Sequence, residues 1–367
     1  MMKQDADEKG IEGAEVGDAV YERLADQLDA LPNGFPRTES GVEIRLLKKI
    51  ATPEEAWLAG QLSRKMESAA EIANRTGLPE TEITERLREL LKRSLVLTEK
   101  NNGIRRFRLA PFLVGIWEGQ LETMDHELAH LFEQYMMLKG AEGIHGPYPA
   151  VHRVVPAQKA VQTEWILPYD DVHSLLMKSK SFIVRDCICR TEQDLIGDRK
   201  CDFPLKNCLV FNPVEGAFGA SGISRDEALA ILDEAEDIGL VHSVSNSVDN
   251  ISYVCNCCGC CCGVLRGITE WGIENSIARA NYYSETDTDM CTGCGICEER
   301  CQVGAVTVVD GIAAVDRGRC LGCGLCVTGC PNEAMHLHRL PDADTVTPLL
   351  NFTAWEEERM RSRGLAK

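Results

Sequence analysis

The chain has 367 residues, 44% of them hydrophobic, and can bury the cores of two or three domains of about 100 to 200 residues each. Its formal net charge of -18 disfavours nucleic acid and anionic membranes as partners and favours a basic protein surface. No apolar run approaches the roughly 18 residues of a membrane span, and the polar start MMKQDADEKG is unlike a signal peptide. These features predict a cytoplasmic protein without a membrane span.

Residues 1–45 are predicted to form an acidic tail followed by one amphipathic helix. Apolar residues at spacings of three and four place one face of this helix against the domain that follows. Asn33-Gly34 and Pro36 then end the helix. The apolar face carries Val20, Leu24, Leu28 and Leu31.

Residues 46–112 have the pattern of three helices followed by a hairpin. Thr52 with Glu55, and Ser68 with Glu71, are capping boxes that start the first two helices. TEITERLRELLKR supplies the third helix, and VLTEK-NNG-IRRFRL predicts two strands joined at an Asn-Gly turn. This order is typical of a winged helix-turn-helix spanning about Thr52 to Leu109.

The charges of this domain favour protein docking over specific DNA binding. The helix that would enter the major groove, Glu80–Arg93, places three of its four glutamates in its first two turns, where they would face phosphates. DNA remains the alternative because the hairpin carries a basic strip that could meet a phosphate backbone. The strip consists of Lys100, Arg105, Arg106 and Arg108.

Residues 113–145 are predicted to form a connecting helix, about Gly119 to Leu138, that contains the zinc-protease pattern HExxH at His126–His130. A repeat of apolar residues defines the buried face of this helix, and both histidines fall on the opposite face. Only Glu142 or His145 could supply a third ligand. The pattern therefore favours a plain solvated face. The predicted buried residues are Leu121, Met124, Leu128, Leu131, Tyr135 and Leu138.

The cysteines are confined to one part of the chain, since residues 1–186 contain none and residues 187–330 contain all eighteen. In a reducing cytosol such a density indicates metal or redox chemistry rather than disulfides. SFIVRD is predicted to be a strand that delivers Cys187, and Ser224 to Gly239 is predicted to be a scaffold helix.

Residues 284–340 contain two runs of four cysteines with equal spacing, Cys291-x2-Cys294-x2-Cys297-x3-Cys301 and Cys320-x2-Cys323-x2-Cys326-x3-Cys330. In bacterial two-cluster ferredoxins the first three cysteines of a run bind one [4Fe-4S] cube and the fourth binds the other. The spacing therefore predicts two clusters. Their ligands would be Cys291, Cys294, Cys297 and Cys330 for one, and Cys320, Cys323, Cys326 and Cys301 for the other.

Zinc fits these runs poorly, because a zinc centre usually takes its ligands as two separated pairs.

One position departs from the ferredoxin pattern: Gln302 follows Cys301, where the second run has Pro331 after Cys330. The change alters a turn and removes no ligand.

The middle domain, residues 146–283, supplies ten further thiols. Eight would serve two cubes, which leaves two as structural or reactive groups. We expect one or two further iron-sulfur clusters, with structural zinc and a redox-active thiol site as alternatives. Arg190 and Arg266 are candidate donors to sulfur, or else surface cations. The ten thiols are Cys187, Cys189, Cys201, Cys208, Cys255, Cys257, Cys258, Cys260, Cys261 and Cys262.

The stretch CNCCGCCCG would serve two centres if it were extended, because alternate residues of an extended chain face opposite sides. One side would carry Cys255, Cys257 and Cys261. The other would carry Cys258, Cys260 and Cys262.

Asp287 to Arg339 resembles two-cluster ferredoxins. Taken whole, the chain resembles a prokaryotic family of multidomain iron-sulfur proteins with a winged-helix region, a cysteine-rich middle and a terminal ferredoxin. The motifs that carry this likeness are GFPRTESGVEIRLLKKIATPEEA, CICR, CNCCGCCCG and the terminal repeat. The resemblance implies electron transfer without naming a reaction.

These observations predict an α+β multidomain protein that ends in a tail, residues 341–367. No nucleotide- or flavin-binding fingerprint is present. We therefore expect an electron-transfer subunit without its own substrate site or catalytic residue, which feeds or relays electrons to a partner oxidoreductase. The alternatives are a redox-sensing transcription regulator that uses the winged helix, and a reductase with a catalytic cluster or thiols in the middle domain.

Overall fold

The computed structural model describes residues 14–162, 166–167 and 169–366. Residues 1–13, which include the predicted acidic tail, lie outside these ranges. Contacts divide the chain into two units, residues 1–144 and residues 145–367, each with helices and small sheets. The protein is thus of the α+β multidomain class, and its finer division into six segments stays a prediction. None of the helices in the described ranges has the length and apolar content needed to cross a bilayer.

Unit 1 is organised around the predicted amphipathic helix. Leu24 is fully buried and Leu28 almost so, and the Tyr21 hydroxyl donates to the Ala51 carbonyl oxygen at 2.8 Å. Both predicted capping boxes form, at Thr52 and at Ser68. The helices are α1 (Ala14–Asp29), α2 (Val42–Ile50), α3 (Pro53–Ala59), α4 (Ala69–Thr76), α5 (Glu80–Lys92), α6 (His126–Tyr135) and α7 (Ala141–His145), the last ending at the unit boundary.

A three-stranded antiparallel sheet accompanies helices α4 and α5. It is formed by β1 (Glu67–Ser68), β2 (Val96–Asn101) and β3 (Ile104–Leu109), in the order β1-β3-β2. Asn102 and Gly103 both adopt positive φ, as the two-residue turn of a hairpin requires. Helix α5 buries Ile83, Leu87 and Leu90, the face that the sequence predicts.

The connecting helix is shorter than the sequence pattern predicts. It does not begin at Gly119: α6 starts at His126, where the Asp125 side chain accepts from the Leu128 N–H. After Tyr135 the backbone widens into a π-turn, so Leu138 is 54% exposed instead of buried. The change of period explains this error, because a wider turn rotates later residues off the buried face.

Both HExxH histidines, His126 and His130, are exposed as the pattern predicts. Glu142 is exposed and paired with Lys139, while His145 is buried. Of the two residues considered as a third zinc ligand, Glu142 is thus exposed like the histidines but engaged by Lys139, and His145 lies in a buried environment that the histidines do not share.

Unit 2 contains a six-stranded sheet in the order β5-β6-β8-β7-β4-β9, antiparallel except for the last pair. SFIVRD is β5, and the predicted scaffold helix is α10, which starts at its Ser224 capping box. The strands are β4 (His152–Val155), β5 (Ser181–Asp186), β6 (Lys206–Asn212), β7 (Val241–Ser245), β8 (Tyr253–Cys257) and β9 (Ile277–Ala278). The helices are α8 (Val172–Lys178), α9 (Ile188–Leu195), α10 (Arg225–Ile238) and α11 (Gly263–Thr269).

The terminal cysteine repeat contains two antiparallel pairs of strands, each associated with a short helix. Strand β10 (Tyr282–Thr286) pairs with β13 (Met335–Arg339), and β11 (Val306–Val309) pairs with β12 (Ile312–Val315). The two helices are α12 (Ile296–Glu299) and α13 (Leu325–Thr328). The chain ends in α14 (Phe352–Ser362), whose Trp355 Nε1 donates to the Ala150 carbonyl oxygen at 3.0 Å.

Candidate metal centres

The first set of terminal cysteines surrounds one cavity. Its lining includes Cys291, Cys294, Cys297 and Cys330. The Ala313 and Ala334 N–H groups donate to the sulfurs of Cys291 and Cys330, at 3.4 and 3.2 Å. The fourth cysteine of the second run thus lies with the first three of the first run, which is the crossover that the ferredoxin spacing predicts.

Gly293 allows the chain to turn tightly beside this cavity. Its φ is +68°, and a Cβ there would lie 2.4 Å from the Gly311 carbonyl oxygen. A side chain is therefore excluded by conformation and by contact.

None of the four cysteines of the second set is exposed, in contrast to Cys294 of the first set. The second set consists of Cys301, Cys320, Cys323 and Cys326. Burial raises the pKa of Cys323, and the nearby sulfurs of Cys326, Cys301 and Cys320 raise it further. Burial also raises the pKa of Cys326 to about 12, although its thiol donates to Ser284 Oγ at 3.1 Å. Buried thiols of this kind become thiolates when a positive metal core compensates the charge.

Comparison with known families agrees with this geometry. Residues 290–335 match the family model of the 4Fe-4S dicluster domain. The match covers the terminal repeat and supports [4Fe-4S] binding and an iron-sulfur electron-transfer role. No curated protein and no solved structure matches the chain.

The structure sorts the ten middle-domain thiols into two groups of four and a remaining pair. The first is compact: its four sulfurs all lie within 4.8 Å of one another. Hydrogen bonds from neighbouring thiols, that of Cys260 first, lower the pKa of Cys258, and the same contact raises the pKa of Cys260 to about 12. The group, called the compact group below, consists of Cys201, Cys258, Cys260 and Cys261.

The second group is a ring of four thiols. Electrostatic interactions link Cys187 with Cys189, Cys189 with Cys262 and Cys262 with Cys257. Cys187 interacts electrostatically with Cys257, which closes the ring. Backbone groups of Arg190, Gly263 and Leu265 favour the thiolate forms of Cys187, Cys189 and Cys262, and such neighbours are typical of sites that hold anionic sulfur. Below we call these four residues the thiol ring.

Cys208 and Cys255 form a branch from the ring. Interaction with Cys255, and next with Cys262, lowers the pKa of Cys257 to about 5. The pKa of Cys255 is raised, first by its interaction with Cys208. The register of β6 and β8 pairs Leu209 with Val254, so the next pair along the ladder is Cys208 and Cys255. These are the two thiols that remain after two sets of four.

The expected alternation of CNCCGCCCG over two faces is wrong. Strand β8 ends at Cys257, and the chain reverses in a turn over residues 259–261 before α11 begins. The turn brings Cys258, Cys260 and Cys261 together and directs Cys262 back to Cys257. The stretch does contribute to two thiol groups, but through a turn rather than through the period of an extended chain.

Arg190 lies between the two groups and is fully buried, so it is not a surface cation. Burial alone would lower its pKa, but the negative sulfurs of Cys187 and Cys258 raise it. Its guanidinium also donates to the Asn256 carbonyl oxygen at 2.8 Å. Arg266 is buried too, where it pairs with Glu270 at 2.7 Å and stacks on Trp271.

Gln302 is a functional residue that the sequence reasoning underestimated. Its Oε1 accepts from the Gly259 N–H, inside the CNCCGCCCG turn, and its Nε2 donates to the Gly239 carbonyl oxygen, both at 2.8 Å. Gln302, which stands where the second run has a proline, therefore links the terminal repeat to the turn of the compact group. Only the departure itself, Cys301-Gln302 instead of a Cys-Pro pair, signalled this role.

The same link predicts different effects of adding a methyl group at two glycines of one loop. A Cβ at Gly259 would lie 1.8 Å from the Gln302 carbonyl oxygen, whereas a Cβ at Gly263 meets nothing within 4 Å. We expect Gly259→Ala to lower the metal content of the middle domain and Gly263→Ala to preserve it, as measured by elemental analysis of the purified proteins. Equal metal content in the two variants would contradict the close contact.

Proposed function

We propose that the protein transfers electrons through a continuous series of metal centres in unit 2. Two [4Fe-4S] clusters bind to the terminal repeat, and a third iron-sulfur cluster binds to the thiol ring. The observation that carries the proposal is one shared apolar core. Cys257 and Cys262 of the ring pack in it with Cys301, Cys320 and Cys323 of the second terminal set.

The order of the centres follows from the packing. The first and second terminal sets are neighbours, since Cys297 and Cys301 belong to one apolar cluster. The second set adjoins the thiol ring through the core described above. Electrons would therefore pass from the first set, through the second, to the ring, or in the reverse direction.

The first set supplies the exposed end of this path. Cys294 is exposed, and the other seventeen cysteines are buried or partly buried. Apolar side chains that are 37–56% exposed lie on the same segment. An exposed apolar surface beside a redox centre suits the docking of a partner, which we propose is an oxidoreductase or its electron carrier. These side chains are Met290, Ile296, Val309 and Ile312.

The crossover ligands test the terminal part of this proposal. Cys330→Ser should remove the EPR signal of the cluster that we assign to Cys291, Cys294 and Cys297, an assignment supported by the cavity that all four cysteines line. Cys320→Ser, the matched control, should remove the other signal. We expect two different reduced-state spectra. If both variants lose the same signal, the ligand assignment is wrong.

A reductase is a second candidate, supported by the neighbouring thiols Cys208 and Cys255. Such a pair would pass two electrons and two protons to an oxidised substrate and form one disulfide. The adjacent clusters would then return two electrons, one at a time, and two protons from solvent would restore the thiols. Failure of electron transfer in a Cys208→Ser protein that retains all its clusters would favour this candidate over a simple relay.

For residues 46–112 we propose a winged helix that docks protein. Charges on α5 are neutralised locally, since Arg86 pairs with Glu82 at 2.6 Å and Lys92 with Glu89 at 2.8 Å. In the hairpin Arg106 approaches Glu71 at 3.6 Å. The acids and the paired bases leave little net positive charge for phosphates.

A binding assay with genomic DNA fragments at rising salt tests this proposal. We expect only weak binding that disappears as salt rises, because nonspecific contacts depend on counterion release. Nanomolar affinity for one sequence that persists at physiological salt would contradict docking and favour a redox-sensing regulator.

A further inference from the structure

The compact group has the dimensions of a site for one metal ion. The sulfur of Cys201 lies 3.9 Å from that of Cys258 and 3.8 Å from that of Cys261, and the sulfurs of Cys260 and Cys261 are 3.6 Å apart. A tetrahedron with metal–sulfur bonds of about 2.3 Å has sulfur–sulfur edges of about 3.8 Å. The three sulfur–sulfur distances agree with this edge length.

An iron-sulfur cube requires a wider arrangement. Each thiolate of a cube binds a different iron, so the irons and sulfides of the core hold the ligand sulfurs further apart than one shared ion would. The chain provides its own comparison. Among the described residues, which include all eighteen cysteines, no other group of three or more potential ligands lies within 4.8 Å. The terminal cysteines, which match a 4Fe-4S family, are thus spaced more widely than the compact group.

The surroundings suit a small anionic metal centre. Four thiolates around a divalent ion carry two net negative charges, and two arginines approach them. The guanidinium of Arg190 interacts electrostatically with Cys258, and that of Arg199 with Cys201. Apolar residues of α10 and the following turn, including Ala235 and Leu240, pack against the sulfurs. These contacts limit water access and offset the charge.

We propose that Cys201, Cys258, Cys260 and Cys261 bind a single zinc or iron ion in a tetrahedral site. The ion ties the Cys201 segment to the CNCCGCCCG turn. Through Gly259, this turn also meets Gln302 of the terminal repeat at 2.8 Å. The ion therefore fixes the position of the loop that also supplies Cys257 and Cys262 to the thiol ring.

The test compares metal with acid-labile sulfide in full-length protein purified without oxygen. Zinc and iron are measured by elemental analysis, and X-ray absorption at the edge of the metal found reports its neighbours. We expect Cys201→Ser and Cys260→Ser to lose about one metal ion per chain with no loss of sulfide, because a mononuclear site contains none. Cys208→Ser is the matched control and should retain both.

The element lost identifies the ion. Loss of zinc assigns a structural site, and loss of iron without sulfide assigns a mononuclear iron site. For zinc, absorption at the zinc edge should show four sulfur neighbours and no short metal–metal distance. For iron, the same signature should appear in the difference between the iron-edge spectra of the unmodified protein and of Cys260→Ser, because the clusters contribute equally to both. Loss of iron and sulfide together from Cys260→Ser would overturn the proposal in favour of a cube, and unchanged metal in both variants would overturn it altogether. The terminal clusters are monitored separately by their EPR signals, so failure here is distinguishable from failure of the electron-transfer proposal.

Discussion

Unit 2 depends on how the negative charge of its closely packed cysteine sulfurs is compensated. Burial raises the pKa of Cys297, Cys323 and Cys326, so these thiols favour the protonated form until a metal core replaces the protons. Metal binding is therefore coupled to proton release and to folding of the segments that carry the ligands. Elsewhere the chain adds its own compensation, with N–H groups aimed at sulfur and Arg190 placed between the two middle-domain groups.

A second constraint holds the terminal repeat against the thiol groups of the middle domain. Arg300 donates to the carbonyl oxygens of Asp237 and Glu236 at the end of α10 and to that of Leu325 at the start of α13, each at 2.8 Å. A cation at a helix C-terminus satisfies carbonyl groups that have no partner within the helix. Together with Gln302, this arginine fixes the terminal repeat against the middle domain, which is what an electron path through both requires.

Local sequence rules predicted the parts of the fold that depend on local chemistry. The capping boxes at Thr52, Ser68 and Ser224, the Asn-Gly hairpin and the buried face of α5 all form as their residues indicate. The sequence also predicted which cysteines the terminal repeat brings together around the first cavity, because the ferredoxin spacing carries that information.

Features that depend on tertiary contacts were not predictable in the same way. The turn after Cys257 depends on Gly259 fitting beneath the Gln302 carbonyl, a contact between residues 43 positions apart. The burial of Arg190 depends on carbonyl groups of distant strands. The α-helical spacing of apolar residues also failed to predict burial after Tyr135, where the backbone changes to a π-turn.

The central claim is that the clusters form one continuous series, and magnetic interaction between them tests it most directly. The measurement is EPR of the fully reduced protein, compared with a Cys187→Ser variant that lacks the cluster of the thiol ring. We expect spin–spin broadening and fast relaxation of the second terminal cluster in the unmodified protein, and a narrower, slower-relaxing signal in the variant. An identical terminal signal in both proteins would contradict a connected path.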